Sequence, residues 1–300
     1  MSVVFIFIDG IGIGKNEPTN PLASNSLKSF SGFTGKNGFH RECENRIHDN
    51  RLYKSIDANL GTVGLPQSGT GQVSLFTGEN ASKKIGKHFG PYPHSKIKPL
   101  LQKKSLFHKV IDLGLQPHFL NAYPDLFFER SEKQNRWSCT TLMAKSAGVR
   151  LNRLQDVLEG TAITAGITQF AWRDILGLDV PEIDPEEASI RLIKAAGKYD
   201  LVLYEYYLTD KAGHEQSREM ADKVLEVLDR FLFAIIKDLH PKDTLLVTSD
   251  HGNLEDLSLK THTRNPVPLF VKGEIKAFTN VESILDVTPA ILNILKKMDG

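Results

Sequence analysis

Val3 to Ile8 is an unbroken run of β-branched, aromatic and aliphatic residues that stops at Asp9-Gly10. A strand buried on both faces of a parallel sheet has this signature, because neither face alternates with polar side chains. Leu201–Tyr206, Thr244–Thr248 and Val267–Val271 repeat it, Pro117–Tyr123 is a further strand, and Tyr53–Leu60 reads as an edge strand. Between these runs the apolar period changes to that of a helix. Leu101, Leu106, Val110 and Leu113 mark one over Leu100–Leu113, closed by Gly114. Pro185–Ala196 is a second, and Ser217–Leu239 a third, with Ala221, Val224, Leu225, Leu228, Leu232, Ile235 and Ile236 on one stripe. Thr288–Lys297 is the last, and shorter helices are expected near Leu22–Phe30 and over Gln72–Thr77.

Strands alternating with helices predict an α/β fold, an open, mostly parallel sheet with helices on both faces. The alternation breaks between Asp125 and Glu187, where the pattern is irregular, Arg130–Arg136 is highly polar and Leu151–Leu158 is briefly helical. This predicts a discontinuous core, residues 1–124 and 188–300, carrying a small inserted cap at 125–187.

Composition narrows the setting. The 300 residues are 40% apolar and 24% charged, which excludes disordered and fibrous classes. Thirty-seven Lys+Arg against 36 Asp+Glu leave a formal charge of +1, so no bulk field holds nucleic acid or an anionic membrane. Cys43 and Cys139 fit a reduced thiol pair better than a disulfide framework. The first apolar run is too short for a signal peptide or a span, and a cytoplasmic protein is expected.

In such a sheet, ligands bind at the carboxyl ends of the strands. Asp9 follows the first strand, Asp210 the Leu201 strand, and Asp250-His251 the Thr244 strand. His214 lies four residues beyond Asp210, on the same face of a helical turn, and His262 precedes the Val267 strand. Three carboxylates and three imidazoles suit divalent cations such as Mn²⁺, Zn²⁺ or Mg²⁺. Six ligands exceed the needs of one ion, which points to two, about 3.5–4 Å apart.

Gly64-Leu65-Pro66-Gln67-Ser68-Gly69-Thr70-Gly71-Gln72 is a second cluster. Its glycines let backbone approach a ligand, the following helix offers free N–H groups to an anion, and a Ser or Thr there can act as a covalent nucleophile. Nucleotide motifs fail on spacing. A dinucleotide fingerprint from Gly10 meets Lys15 where its last Gly belongs, and a P-loop ending at Gly14-Lys15 meets Asn16 in place of Ser or Thr.

Taken in order, Ile8-Asp9-Gly10, Ser68-x-x-Gly71-Gln72, Asp210-x-x-Gly213-His214, Asp250-His251-Gly252-Asn253 and His262-Thr263 resemble the alkaline phosphatase superfamily. The branch is that of cofactor-independent phosphoglycerate mutase and phosphopentomutase, and the stretch from Asp57 to Ser68 resembles a group of short metalloenzymes within it. The resemblance implies an alkaline-phosphatase-like fold and Ser68 as the nucleophile. It implies Asp9, Ser68, Asp250 and His251 as ligands of one ion, and Asp210, His214 and His262 as ligands of the other. It further implies transfer of a phosphoryl group to Ser68 and then to water or a substrate hydroxyl.

Two departures bear on the reaction. Gln72 stands where the two mutases carry His, and only about sixty residues are available for an insertion that is larger in the mutases and supplies their substrate-gripping arginines. Arg130, Arg136, Arg150, Arg153 and Arg173 lie in or near that region and are expected on a solvated face. The expectation is a metal-dependent phosphate-ester hydrolase acting on a small molecule, with no nucleic-acid or membrane partner. The alternatives are a phosphomutase on a small phosphorylated sugar or acid, a phosphodiesterase, and a metal-bound binding module without catalysis.

Overall fold

A computed structural model describes residues 1–298. Seven strands form one sheet in the order β2-β3-β9-β8-β1-β7-β4, where β1 is Val3–Ile8, β2 Arg46–His48, β3 Arg51–Ile56, β4 Pro117–Phe119, β7 Leu201–Tyr206, β8 Thr244–Thr248 and β9 Val267–Lys272. β5 (Asn121–Ala122) and β6 (Ile163–Thr164) pair separately. β8, β1, β7 and β4 are parallel. β9 opposes β8, β3 opposes β9 and so realigns with the parallel four, and β2 opposes β3. Five of the seven strands therefore run one way, a mostly parallel sheet as expected, but β9, whose apolar run carries the parallel-strand signature, runs against them because both its faces are covered whatever its direction.

Successive side chains of β1 feed two different cores. Phe5 and Phe7 join Val73, Phe76, Ile291 and Leu295 on one face. Val4 and Ile6 join Leu192, Leu225, Leu228 and Leu232, from helices Pro185–Ala196 and Arg218–Asp238, on the other. Coverage on both faces is why every residue of β1, β7 and β8 is buried. None of the described helices is long and apolar enough to cross a membrane.

Several elements differ from the sequence expectation. The expected edge strand at Tyr53–Leu60 is β3, ending at Ile56 and lying one strand in from the edge. A two-residue turn at Asp49-Asn50, with Asp49 at φ 51°, folds β2 back as the true edge. The helix over Leu100–Leu113 is two, Lys98–Lys104 and Leu106–Asp112, parted at Ser105, which adopts an extended conformation and bonds His108 at 2.8 Å. The strand Pro117–Tyr123 leaves the main sheet after Phe119 and pairs with β6 instead.

Residues 125–187, expected as an inserted cap, pack in two parts. Phe128, Trp137, Cys139, Leu142 and Met143 belong to the same apolar cluster as Phe5 and Phe76. Further on, Val157, Ala162, Trp172 and Val180 gather with Ala122 around a small cluster of their own. Both cysteines are buried and unpaired.

Phe76 joins the Ser68–Thr77 helix to the central strand, edge-on to Phe7 at 5.3 Å and fully buried. Phe76→Ala is expected to cost about 3–5 kcal/mol in urea or guanidinium unfolding. A loss below about 1 kcal/mol would show that the helix is held by other contacts.

Candidate active site

Three adjacent parallel strands, β7, β1 and β8, deliver their following loops to one place, and all seven residues singled out in the sequence meet there. Asp9 leaves β1 with its N–H bonded to Tyr206 O at 3.0 Å. Asp210 and His214 stand on the Leu208–Glu215 helix after β7, their side chains 3.3 Å apart, as the i, i+4 spacing predicts. Asp250 and His251 follow β8 and are fully buried, and His262 ends the same excursion before β9. Ser68 opens the Ser68–Thr77 helix, its Oγ 3.0 Å from His251 Nε2.

Their atoms converge as ligands around a cation do. Asp9 Oδ1 lies 3.3 Å and Asp250 Oδ2 3.5 Å from His251 Nε2. Asp9 Oδ1, both Asp250 carboxylate oxygens and His251 Nδ1 are buried without a hydrogen-bond partner. On the other side, His262 Nε2 approaches His214 Nε2 at 3.1 Å and Asp210 Oδ1 at 3.5 Å. His214 Nδ1 bonds Lys260 O at 2.9 Å, and His262 Nδ1 bonds Pro66 O at 2.7 Å. A carbonyl only accepts, so both Nδ1 atoms carry hydrogen and the two Nε2 atoms face inward, each offering a lone pair when its ring is neutral. Such an outer bond commonly fixes a metal-binding histidine. His251 stacks on His262 at 3.8 Å, and its atoms group both with Asp9 and Asp250 and with Asp210 and His262. It lies where the two ligand groups adjoin. The unpartnered carboxylates and inward lone pairs fit divalent cations.

Electrostatics agree with this. Burial, and after it the Asp250 charge, push the Asp9 carboxyl well above its usual range. Burial and the Asp210 charge do the same to Asp250. Burial lowers His251 to about 3, leaving a neutral imidazole. Burial also pushes Asp210 up, yet hydrogen bonds from His214 and Asn253 and the nearby imidazoles hold it below the usual carboxylate range.

Sequence reasoning missed Glu255 and Glu205 and gave no bracing role to Asn253 or Gln72, although both stand in the motifs. Glu255, buried, accepts from the N–H groups of Gly12 (2.9 Å) and Asn253 (2.7 Å) and from Thr263 and Asn265, tying the loop after β1 to the β8–β9 connection. Asn253 donates to Asp210 Oδ1 at 2.7 Å, and Gln72 donates to Asp9 Oδ2 at 3.1 Å. Glu205 is buried inside β7 beside Thr140, whose hydroxyl donates to it at 2.6 Å, and burial raises it to about 7. Nothing but its isolated charge within an apolar strand marked Glu205 in the sequence. Gly10 is required for close approach. It has φ +73°, and a Cβ there would lie 2.7 Å from the Asp210 side chain.

A cleft of about 680 Å³, lined by Asp9, Asp210, His214, Tyr207, Lys211 and Lys260 among others, opens on the Asp210–His214 side of the centre. The arginines of the 125–187 region do not line it. Arg150 pairs with Asp156, Arg153 with Asp125, and Arg173 with Asp174 and Glu182, while Arg136 covers the Tyr92 ring.

Gly10→Ala is expected to displace Asp210 and weaken divalent-metal binding at least about tenfold by titration calorimetry, with secondary structure retained. Unchanged affinity would remove Gly10 from the design of the centre. Glu205 carries a pH signature in metal-stripped protein. Its folded pKa lies above the unfolded one, so the folded state binds the extra proton, and stability falls as pH rises from about 4.5 to 7. Glu205→Gln is expected to flatten that slope, gaining up to ~3 kcal/mol over wild type between the two ends. Parallel curves would show that Glu205 ionises normally.

Residues 179–298 match the model of the Metalloenzyme superfamily. A 2,3-bisphosphoglycerate-independent phosphoglycerate mutase of Desulforudis audaxviator is 33% identical over 124 residues, 38% of this chain and 24% of that protein. A second, from Methanosarcina barkeri, is 36% identical over 127 residues, again 38% of this chain and 24% of its own. The matched part thus spans about a quarter of these relatives' length. Among solved structures, alkaline phosphatase from the Antarctic bacterium TAB5 superposes with a TM-score of 0.59 at 10% identity, covering 98% of this chain and 97% of that one. Leishmania mexicana phosphoglycerate mutase gives 0.52 at 13% identity, covering 98% and 95%. Residues 179–298 therefore match the Metalloenzyme superfamily model and are similar to part of the 2,3-bisphosphoglycerate-independent phosphoglycerate mutases, and the chain has an alkaline-phosphatase-like fold.

Proposed function

We propose that the chain is a phosphate-ester hydrolase that works through a phosphoserine at Ser68 and uses two divalent cations, Mn²⁺ or Zn²⁺ in preference to Mg²⁺. One observation carries the reading. Both carboxylates near Ser68, Asp9 and Asp250, approach the same His251 nitrogen that faces the serine, while Nδ1 has no partner. A Ser-His-Asp triad needs its carboxylate on the other nitrogen, so this geometry argues against acyl transfer and for ligands converging on a cation.

Asp9, Ser68, Asp250 and His251 would hold one ion, and Asp210, His214 and His262 the other. Bound cations supply charge that activates the attacking oxygen and stabilises the transferring phosphoryl group. Ser68 Oγ attacks phosphorus, the ester P–O bond breaks with its electron pair on the leaving oxygen, and water then displaces phosphate from Ser68. Ser68 stands in the first turn of a ten-residue helix, whose N-terminal dipole favours phosphoryl oxygens. Burial keeps His251 neutral, which suits an imidazole that would hold a cation rather than one that protonates the leaving group. Glu255 and Asn253 keep the loops in register.

The openness of the cleft, whose described lining contains no arginine, favours water over a retained substrate as the final acceptor. A phosphomutase on a small phosphorylated sugar or acid is the second reading, favoured by the mutase relatives.

The test is phosphate release and product identity from a panel of phosphate mono- and diesters, with metal-stripped protein resupplied with Mn²⁺, Zn²⁺ or Mg²⁺. Metal-dependent release that falls by more than about a thousandfold in Ser68→Ala, with most metal still bound, is expected. Asp250→Asn is expected to lose both metal and turnover. An isomerised phosphate without release would establish the mutase, and full activity in Ser68→Ala would overturn the nucleophile.

A further inference from the structure

The net charge of +1 hides a strong segregation. Residues 80–111 contain eight lysines and no Asp, Glu or Arg, so the rest of the chain carries −7. Lys83, Lys84, Lys87, Lys96, Lys103 and Lys104 are exposed. Lysine ion pairs among the described residues are made by Lys15, Lys211 and Lys223, none of them in this segment.

The segment is a strap around the Ser68–Thr77 helix. Ala81 N–H donates to Ser74 Oγ at 3.0 Å, towards the helix C-terminus. The strap then crosses to the other end, where Phe89 O accepts from Thr70 N–H at 2.9 Å, and it returns to place Lys109 Nζ 2.7 Å from Thr77 O. Its anchors thereby lie towards both ends of a helix of ten residues, about 15 Å long, with exposed lysines carried on the stretches between and beside them. A compact dianion would meet only a few of them, whereas an extended anion meets the row.

We propose that this lysine strap binds a linear polyanion of repeating phosphates, of the inorganic polyphosphate kind. A single-stranded nucleic acid would also need aromatic faces on which bases stack. The strap's aromatic faces are already taken. Lys87 lies over Phe89 and His94 packs edge-on against it, while the Arg136 guanidinium covers Tyr92 at 4.0 Å. What remains exposed is charge without a platform, which reads a phosphate backbone and nothing attached to it. This inference stands apart from the catalytic reading, since it concerns binding outside the metal centre.

The test is fluorescence anisotropy of the intact protein with labelled medium-chain inorganic polyphosphate, across a salt series. Expected is binding that weakens steeply with salt. The variant Lys83→Gln/Lys84→Gln/Lys87→Gln/Lys96→Gln should lose affinity more than about tenfold and reduce the log–log salt slope by up to about 3. Lys194→Gln/Lys198→Gln, exposed elsewhere, should bind as wild type, and circular dichroism should show all variants folded. No binding at low salt, wild-type affinity in the quadruple variant, or tighter binding of a single-stranded oligonucleotide than of polyphosphate would each overturn the proposal. Because the readout is binding, a Ser68→Ala protein should score as wild type, and failure here leaves the hydrolase reading untouched.

Discussion

Asp9, Asp250 and His251 are brought together with almost no water around them, and the protein gives the two carboxylates too few donors to neutralise them. Buried unpaired carboxylates cost several kcal/mol each, so the surrounding chain must force them into place. Much of the nearby architecture serves that end. Thr209 bonds Asp9 O at 2.6 Å, Ser249 bonds His251 O and receives the Ile11 N–H, both at 3.0 Å, and Glu255 fastens the loops after β1 and β8 to each other. The arrangement is a preformed hole for positive charge, held open by second-layer hydrogen bonds rather than by the ligands themselves.

The parts of this design that were legible in the sequence are those with a one-dimensional signature. β1, β7 and β8 show as apolar runs because both faces are covered, and the runs end where the chain must turn polar to make a site. Asp9, Asp210, Asp250 and His251 were therefore findable from strand ends alone. His214 followed from helical spacing to Asp210. Ser68 and His262 lay in loops, and the family resemblance, not periodicity, singled Ser68 out over Thr70.

What stayed hidden depends on contacts between distant segments. Glu255 looks like one more surface acid, since nothing local shows that Gly12, Asn253, Thr263 and Asn265 all turn towards it. Glu205 and Thr140 are 65 positions apart and meet only because the Cys139–Ser146 helix folds back onto the sheet. That helix also explains why an irregular stretch of sequence joined the main core. Its polar flanks suggested a separate unit, but Leu142, Met143 and Cys139 are buried against the sheet face that carries the Ser68 helix.

β4 is the last strand of the sheet and leaves it after three residues, and none of the seven ligand residues lies between Ser68 and Asp210. Residues 128–143 fold back onto the sheet, but the small cluster of Val157, Ala162, Trp172 and Val180 lies beyond them, so chain added there leaves the register of β8, β1 and β7 in place. The fold thus separates a fixed chemical engine from an adjustable attachment, and relatives of very different length can share one centre while differing in everything that approaches it.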